Sequence, residues 1–504
     1  MRNPARSWFW SVSIFIGAAA AFLDARPAAA QYTVQVLVAP DGISPDARTD
    51  PYAMNNKGQV FGQVFVTAQD RRPLLWTAGQ AEVLSVPAPY VWDGGNGGHQ
   101  FLNDHGAAVG QVLNPDGLPR HPTLDQPLVV EWTRSGTQMV AQIVPLPPVV
   151  SCASDYALAF GFNNNGHVLI ESGDAEGTCH RLWLWDGTGG TASAFTEVAN
   201  LGDPLPGCPA SYAIRPGASH LNDADHVALE FSPGTANPPC SPTFESGILA
   251  NGVFTPLTTS TAIGGASQIN NADQVVMGFD SGSGTQVQFW DGSTLENLGF
   301  VGGVWMNDLG HLLFTSGTGT SGTLQTRKNG VTTNVTVPAI PDFFEPAGGI
   351  SSNGINTTGQ LLIGGAFHMG GPSGNLTSHP ILLTPPAPTA TLKVNGQHPT
   401  PTPVVATNGP MLLTLDMSNP SDLYTGPLAW YFGVIVNNQV VWITATGPSA
   451  TPAPLATLPP FTFTNAVLIN TSLPPATTLT SFLLLVDVNS NALTSFDIIA
   501  AARP

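Results

Sequence analysis

One short phrase occurs seven times in this chain, and it constrains the fold more than any other feature. An apolar residue is followed by Asn, which stands at Asn55, Asn103, Asn163, Asn222, Asn270, Asn307 and Asn356. The copies are 37 to 60 residues apart, the range of four-stranded propeller blades with loops of varying length. Asn can close an Asx-turn onto backbone two residues ahead, so each phrase reads as a turn between two strands. The fourth turn position is Gly in five copies and Asp225 or Asp273 in the other two. Gly, Asn and Asp share a tolerance for the left-handed region, so a positive φ is expected there. Asn/Asp-rich turns can bind calcium, but that ion needs several carboxylates, and most copies carry one at most. A structural turn is the better reading.

A second phrase follows the first. It reads Leu74-Leu75-Trp76, Val130-Glu131-Trp132, Leu184-Trp185-Asp186-Gly187 and Phe289-Trp290-Asp291-Gly292 in four copies. It marks a third strand ending in a tight turn, and a short apolar fourth strand follows. The recurring Trp reads as core between blades rather than a ligand-stacking surface. In the seventh copy Pro380-Ile381-Leu382-Leu383 runs straight into Pro385-Pro386 and leaves no fourth strand. The segment Tyr32–Val38, ahead of the first copy, has the right alternation to supply it. Pairing the two ends in one blade would close the ring and remove an open edge. The expected fold is therefore all-β: a seven-bladed β-propeller closed by an N-terminal strand.

These phrases resemble the HAF-type family of bacterial extracellular repeats, over residues 32–384. The resemblance implies export and a repeat fold, and carries no catalytic residue to transfer. Residues 389–504 hold neither phrase. Short β-type runs such as Thr391–Val394, Met411–Leu415, Tyr431–Val436 and Ser481–Val488 alternate there with Pro/Thr-rich turns. That pattern suggests a small β-sandwich of immunoglobulin-like type. The expected domains are a signal peptide at 1–30, the propeller at 31–386 and the sandwich at 387–504. The signal is read from Arg2 and Arg6, the apolar run Trp8–Leu23 and the cleavage pattern Ala28-Ala29-Ala30. Once it is removed, no stretch is long and apolar enough for membrane insertion, so an extracellular, surface or periplasmic location is expected.

Charged residues are only 10% of the chain and its formal net charge is −18. Lys57, Lys328 and Lys393 are its only lysines. Phosphate recognition needs clustered cations, so nucleic acid and anionic lipid are poor partners. A glycan, a protein or a cell-envelope component fits this surface better. No nucleophile motif, phosphate loop, dinucleotide fingerprint or metalloprotease motif is present, and no cofactor is expected. His167, His226 and His311 share one repeat position, where Gln59, Ala107, Gln274 and Gln360 stand in the other copies. A column in which His and Gln interchange points to hydrogen bonding to backbone rather than to metal.

Eight residues after the Asn stand Gln63, Gln111, Glu171 and Glu230. If the strand leaving the turn runs along the central channel, these four are the candidate ligand-binding residues. Two such carboxylates could also serve as the acid and base of a glycoside hydrolase. The expected function is a non-catalytic surface or secreted binding protein. The alternatives are a carbohydrate-active hydrolase or lyase and a structural envelope protein. Four cysteines in an exported chain suggest disulfides. Cys152 and Cys179 bracket Asn163 as Cys208 and Cys240 bracket Asn222, which selects the pairs Cys152–Cys179 and Cys208–Cys240. The long insertions fall in copies two to four, so any ligand is expected on a face built by residues of about 90 to 245.

Overall fold

The computed structural model describes residues 32–503 except 95–99, 114–126, 148–155, 174–180, 188–193, 201–211, 215–219, 234–243, 261–262, 281–284, 317–322, 339–350 and 369–375, and six short segments beyond residue 400. The signal segment and all four cysteines lie outside the described residues. One compact unit is Thr33–Thr384, and a second is built on Pro385–Pro504.

In the first unit each repeat folds as an antiparallel meander. Thr49–Met54, Val60–Phe65, Arg71–Thr77 and Gln80–Val83 form the first, in that order across the sheet. Its Asn turn joins the first two strands. The innermost strands are those that lead into the Asn turns. Thr49–Met54 touches Phe101–Leu102, which touches Tyr156–Phe162, then His220–Leu221 and Ile263–Ile269. Leu295–Met306 and Ser351–Ile355 follow, and the last touches the first again. Meanders radiating from a closed ring of inner strands define a β-propeller.

The ends of this unit meet as the sequence led us to expect. Thr33–Val36 pairs antiparallel with Leu376–Thr384, Val34 opposite Leu383 and Val36 opposite Ile381. The sheet order places this strand outermost in the last meander. The fifth and sixth meanders differ from the others in sharing a strand. Leu295–Met306 is the outer strand of one and, past a register shift between Gly302 and Val304, the inner strand of the other. This explains why Asn270 and Asn307 have the shortest spacing of the series.

Adjacent meanders are joined by apolar packing. Phe61 and Leu75 of the first share a cluster with Trp92, Val112, Val130 and Trp132 of the second. Trp76, Trp132 and Trp185 are fully buried, as expected of core residues. Two of these indoles also donate across to backbone: Trp76 Nε1 to Val38 O at 2.8 Å and Trp132 Nε1 to Ser85 O at 2.6 Å. A buried Trp that satisfies its N–H in this way fixes the spacing of neighbouring sheets as well as filling it.

The second unit has two sheets around one core. Thr389–Val394, Pro410–Ser418 and Phe463–Ser472 form the smaller. The larger is centred on Leu428–Val436, Thr477–Asp487 and Leu493–Arg503. Leu392, Leu413 and Leu415 of the first pack with Trp430, Phe432 and Leu483 of the second. No helix among the described residues is long and apolar enough to cross a membrane.

Candidate functional site

The Asn turns meet at one end of the ring axis, and their geometry explains the repeat. In the first turn Asn55 Oδ1 accepts from the N–H groups of Lys57 and Gln59 at 3.1 and 2.9 Å. The same carboxamide then bonds forward. Asn55 Nδ2 donates to Asn103 O at 2.9 Å, Asn103 to Asn163 O at 3.2 Å and Asn163 to Asn222 O at 3.0 Å. Asn222 donates to Asn270 O, Asn270 to Asn307 O and Asn307 to Asn356 O. Asn356 Nδ2 closes the cycle on Asn55 O at 3.4 Å. One side chain thus shapes its own turn and ties it to the next. The fourth position has positive φ in every copy, from 56° at Asp273 to 87° at Gly359, as the Gly/Asp exchange implied.

A second ring lies on the first. The residues after the Asn are Asn56, Asp104, Asn164, Asp223, Asn271 and Asp308, with Thr357 last. Asn56 Nδ2 donates to Asp104 Oδ2 at 2.9 Å and to Asp308 Oδ2 at 3.1 Å. Asn164 Nδ2 joins Asp104 to Asp223 at 3.2 and 3.0 Å, and Asn271 Nδ2 reaches Asp223 at 2.8 Å. The Asn271 backbone N–H bonds Asp308. Three carboxylates are therefore held together by three amides. Burial raises the Asp308 carboxyl above its usual range, the Asn56 bond opposes this, and the charges of Asp104 and Asp223 add to the rise. This collar and the apolar residues beneath it, Met54, Leu102, Phe162, Leu221, Met306 and Ile355 among them, line a cavity of about 170 Å³. Among the described residues no cluster of three or more His, Cys, Asp or Glu side chains is arranged for a metal ion.

This collar was not anticipated from the sequence, because each turn is sound without it. The available signal was the strict Asn/Asp alternation through six copies, which no isolated turn requires. In the His/Gln column Gln274 makes the expected bond to backbone, Nε2 donating to Asp291 O at 3.1 Å, and the histidines have another role. His167 Nδ1 lies 2.9 Å from Asp225 Oδ1, and His226 Nδ1 2.9 Å from Asp273 Oδ1, each Asp belonging to the next turn. Gln59 and Gln274 instead accept from their own Asn at 2.8 and 2.7 Å, and the next turn carries Gly.

The expected channel-facing column is corrected. Gln63, Gln111, Glu171 and Glu230 lie on the second strand of their meanders, one removed from the innermost, and are 0–3% exposed. Gln63 Oε1 accepts from Trp92 Nε1 at 3.2 Å, and Glu171 Oε1 from the Tyr156 hydroxyl at 3.1 Å. The first hairpin does not reveal which of its strands is inner. Ring closure decides it, and the strand entering the turn takes that place.

At the far end of the first meander a second feature gathers. The Phe65 ring lies between Arg48 and Arg71, whose guanidinium carbons are 4.7 and 5.0 Å from its centroid. Arg71 Nη1 donates to Gly94 O at 2.9 Å. Beside it a cavity of about 400 Å³ is lined by Asp70, Arg71, Arg72, Val83, Val91 and Trp92, among others. It touches the edge of the face expected from residues 90–245, most of whose long loops lie outside the described residues.

Closed inner strands, radiating meanders and a hydrogen-bonded axial collar place the first unit among the β-propellers. No protein-family model matches the sequence, and no curated protein matches it. Among solved structures, the chain is similar to the β-propeller domain of the Trilobed protease from Pyrococcus furiosus. Identity is 10%, over 63% of this chain and 91% of that one, at a TM-score of 0.40. It is also similar to a structure from a study of two prolyl endopeptidases, at 10% identity and a TM-score of 0.43, covering 75% of this chain and 55% of that one. An Aleuria aurantia lectin is similar at 9% identity over 69% of this chain and 98% of that one, with a TM-score of 0.31. The propeller assignment rests on the strand pairing and turn geometry of this chain itself.

Proposed function

We propose that this is an exported, non-catalytic binding protein. In this reading a signal at 1–30 is removed and HAF-type repeats over 31–386 close as a seven-bladed propeller. Cys152–Cys179 and Cys208–Cys240 are its disulfides, and residues 387–504 form an immunoglobulin-like sandwich. The turn end of the ring uses its polar groups on itself, so recognition falls to the opposite, loop-bearing end. The observation that carries this is the cavity of about 400 Å³ there, walled by Val83, Val91 and Trp92 and rimmed by Arg71 and Arg72. Apolar walls with a few placed polar groups are what small ligands and side chains occupy. Gln63 supports the site from below through Trp92.

The test is a binding profile of the full chain against arrayed glycans and envelope proteins. The double substitution Arg72→Ala, Val91→Ser, at exposed positions, should weaken the strongest interaction about tenfold or more at unchanged melting temperature. If the wild-type chain instead hydrolyses a glycan, and Glu171→Gln or Glu230→Gln abolishes turnover, a hydrolase replaces this reading.

A further inference from the structure

The cavity beside the first meander carries a charge that the fold leaves unanswered. Its charged lining residues are Asp70, Arg71 and Arg72, two cations against one anion, in a chain of formal charge −18. Arg48, Arg72, Arg134, Arg181 and Arg327 each bond a carboxylate of this chain. Arg72 forms a bidentate pair with Asp70, at 3.1 and 2.7 Å, which cancels both charges. Among the described residues Arg71 bonds no carboxylate. Its hydrogen bond runs from Nη1 to Gly94 O, so Nε and Nη2 remain as charged donors with no protein acceptor.

Strand register sets Arg71 on the cavity side. It stands opposite Phe65, and Pro73 opposite Gln63, so these four share the face on which Gln63 meets Trp92. The Phe65 ring covers one side of the guanidinium. Gly94, at a φ of +52°, closes on its stem: a Cβ there would lie 2.7 Å from Arg71 Cδ. A cation held in place and short of a counter-charge takes an anion at little ordering cost. The other walls are of a different kind. Val83, Leu84, Val86, Val91 and Trp92 are uncharged, and Val83 and Val91 are 38% and 47% exposed.

The geometry points to an apolar monocarboxylate as the ligand of this cavity, its carboxylate on Arg71 and its body against Val83, Val91 and Trp92. A single negative charge balances the net positive charge of the lining, whereas a dianion would also meet Asp70. An uncharged sugar would leave Arg71 unanswered and set its hydroxyls against valine. The volume of about 400 Å³ suits a small apolar body of one or two rings. This inference rests on the reading of the cavity as the recognition site, and gives that site a ligand class.

Full-length protein is titrated calorimetrically with naphthylacetate and with its uncharged amide. The acid should bind about tenfold more tightly than the amide, and added salt should weaken the acid alone. An acetylated peptide ending in Phe, with its C-terminal amide as control, tells a chain end from a free acid: the carboxylate that binds more tightly is the source. Arg71→Gln should bring the acid down to the amide's affinity and leave the amide unchanged, which general damage to the cavity would not do. Val83→Trp, which fills the cavity from an exposed position, should weaken both. Equal binding of acid and amide overturns the proposal, as does an equal loss of both in Arg71→Gln, an acid indifferent to Val83→Trp, or no binding by any probe. If Arg71→Gln does not fold, the salt dependence decides. The reading of the cavity as the recognition site fails separately, when the Arg72→Ala, Val91→Ser pair leaves the arrayed interactions intact.

Discussion

A pairing rule joins each turn to the next through two positions. Where the fourth turn position is Asp, the preceding turn offers His. Where it is Gly58, Gly106 or Gly310, the preceding turn offers Gln, and a Cβ on the glycine would lie 2.2–2.8 Å from that Gln Oε1. Ala107, ahead of Gly166, lies outside the rule, and His311 breaks it, because the following turn has Gly359. Its Nδ1 is buried without a hydrogen-bond partner. Burial first, then Lys328, lowers the His311 pKa from 6.5 to about 4. The imidazole is therefore neutral in the fold, and its contribution is full above pH ~6.5 and lost as pH falls through about 4. His311→Gln restores the Gln–Gly pair, so its melting temperature should fall less than wild type between pH 7 and pH 4; an identical fall would exclude His311 as the source. Glu131 behaves in the opposite sense. Burial raises it to about 7 against the opposing Gln142 bond, so its neutral form stabilises the fold below pH ~4.5 and that contribution is lost as pH rises through about 7. Glu131→Gln should stabilise by about 1–2 kcal/mol at pH 8 and by little at pH 4, as read from denaturant unfolding at both pH values.

At the scale of strands, the sequence carried most of the fold, because the repeat marks each turn and each tight hairpin directly. The missing strand after Leu383 was legible for the same reason, and Thr33–Val36 pairs in its place. Deleting residues 32–38 should expose the edge of Leu376–Thr384 and lower both melting temperature and solubility; a truncated chain that melts with wild type would show the pairing to be dispensable. The strand shared by the fifth and sixth meanders was only hinted at by the spacing of Asn270 and Asn307. Phe463–Ser472 and Leu493–Arg503 were not singled out at all, because polar residues such as Asn465, Asn470 and Asp497 interrupt their apolar pattern. Asp497 is spent on a cross-sheet bond from the Leu392 N–H, a use that no local pattern announces. The inner or outer rank of a strand was likewise hidden, which is why the strand carrying Gln63 was expected along the channel.

Across the whole ring the collar sets three carboxylates against one another. Burial and the neighbouring charges favour a protonated Asp308, so the stabilisation this gives is present at acid pH and lost as pH rises. Asp308→Asn keeps an acceptor oxygen and adds an N–H donor while removing one charge. It should raise the melting temperature at pH 7, with the gain disappearing near pH 3; a loss at pH 7 would mean that the bonds to Asn56 and Asn271 outweigh the repulsion. Parity adds a constraint that no single residue contains. Two kinds of bead cannot alternate around a necklace with an odd number of beads, and one place must be left over. Thr357 takes that place, in the same meander where the two ends of the unit are stitched together. Duplicating any one repeat, or deleting one that does not adjoin Thr357, would set like beside like, whereas removing the Thr357 repeat would leave six beads in complete alternation.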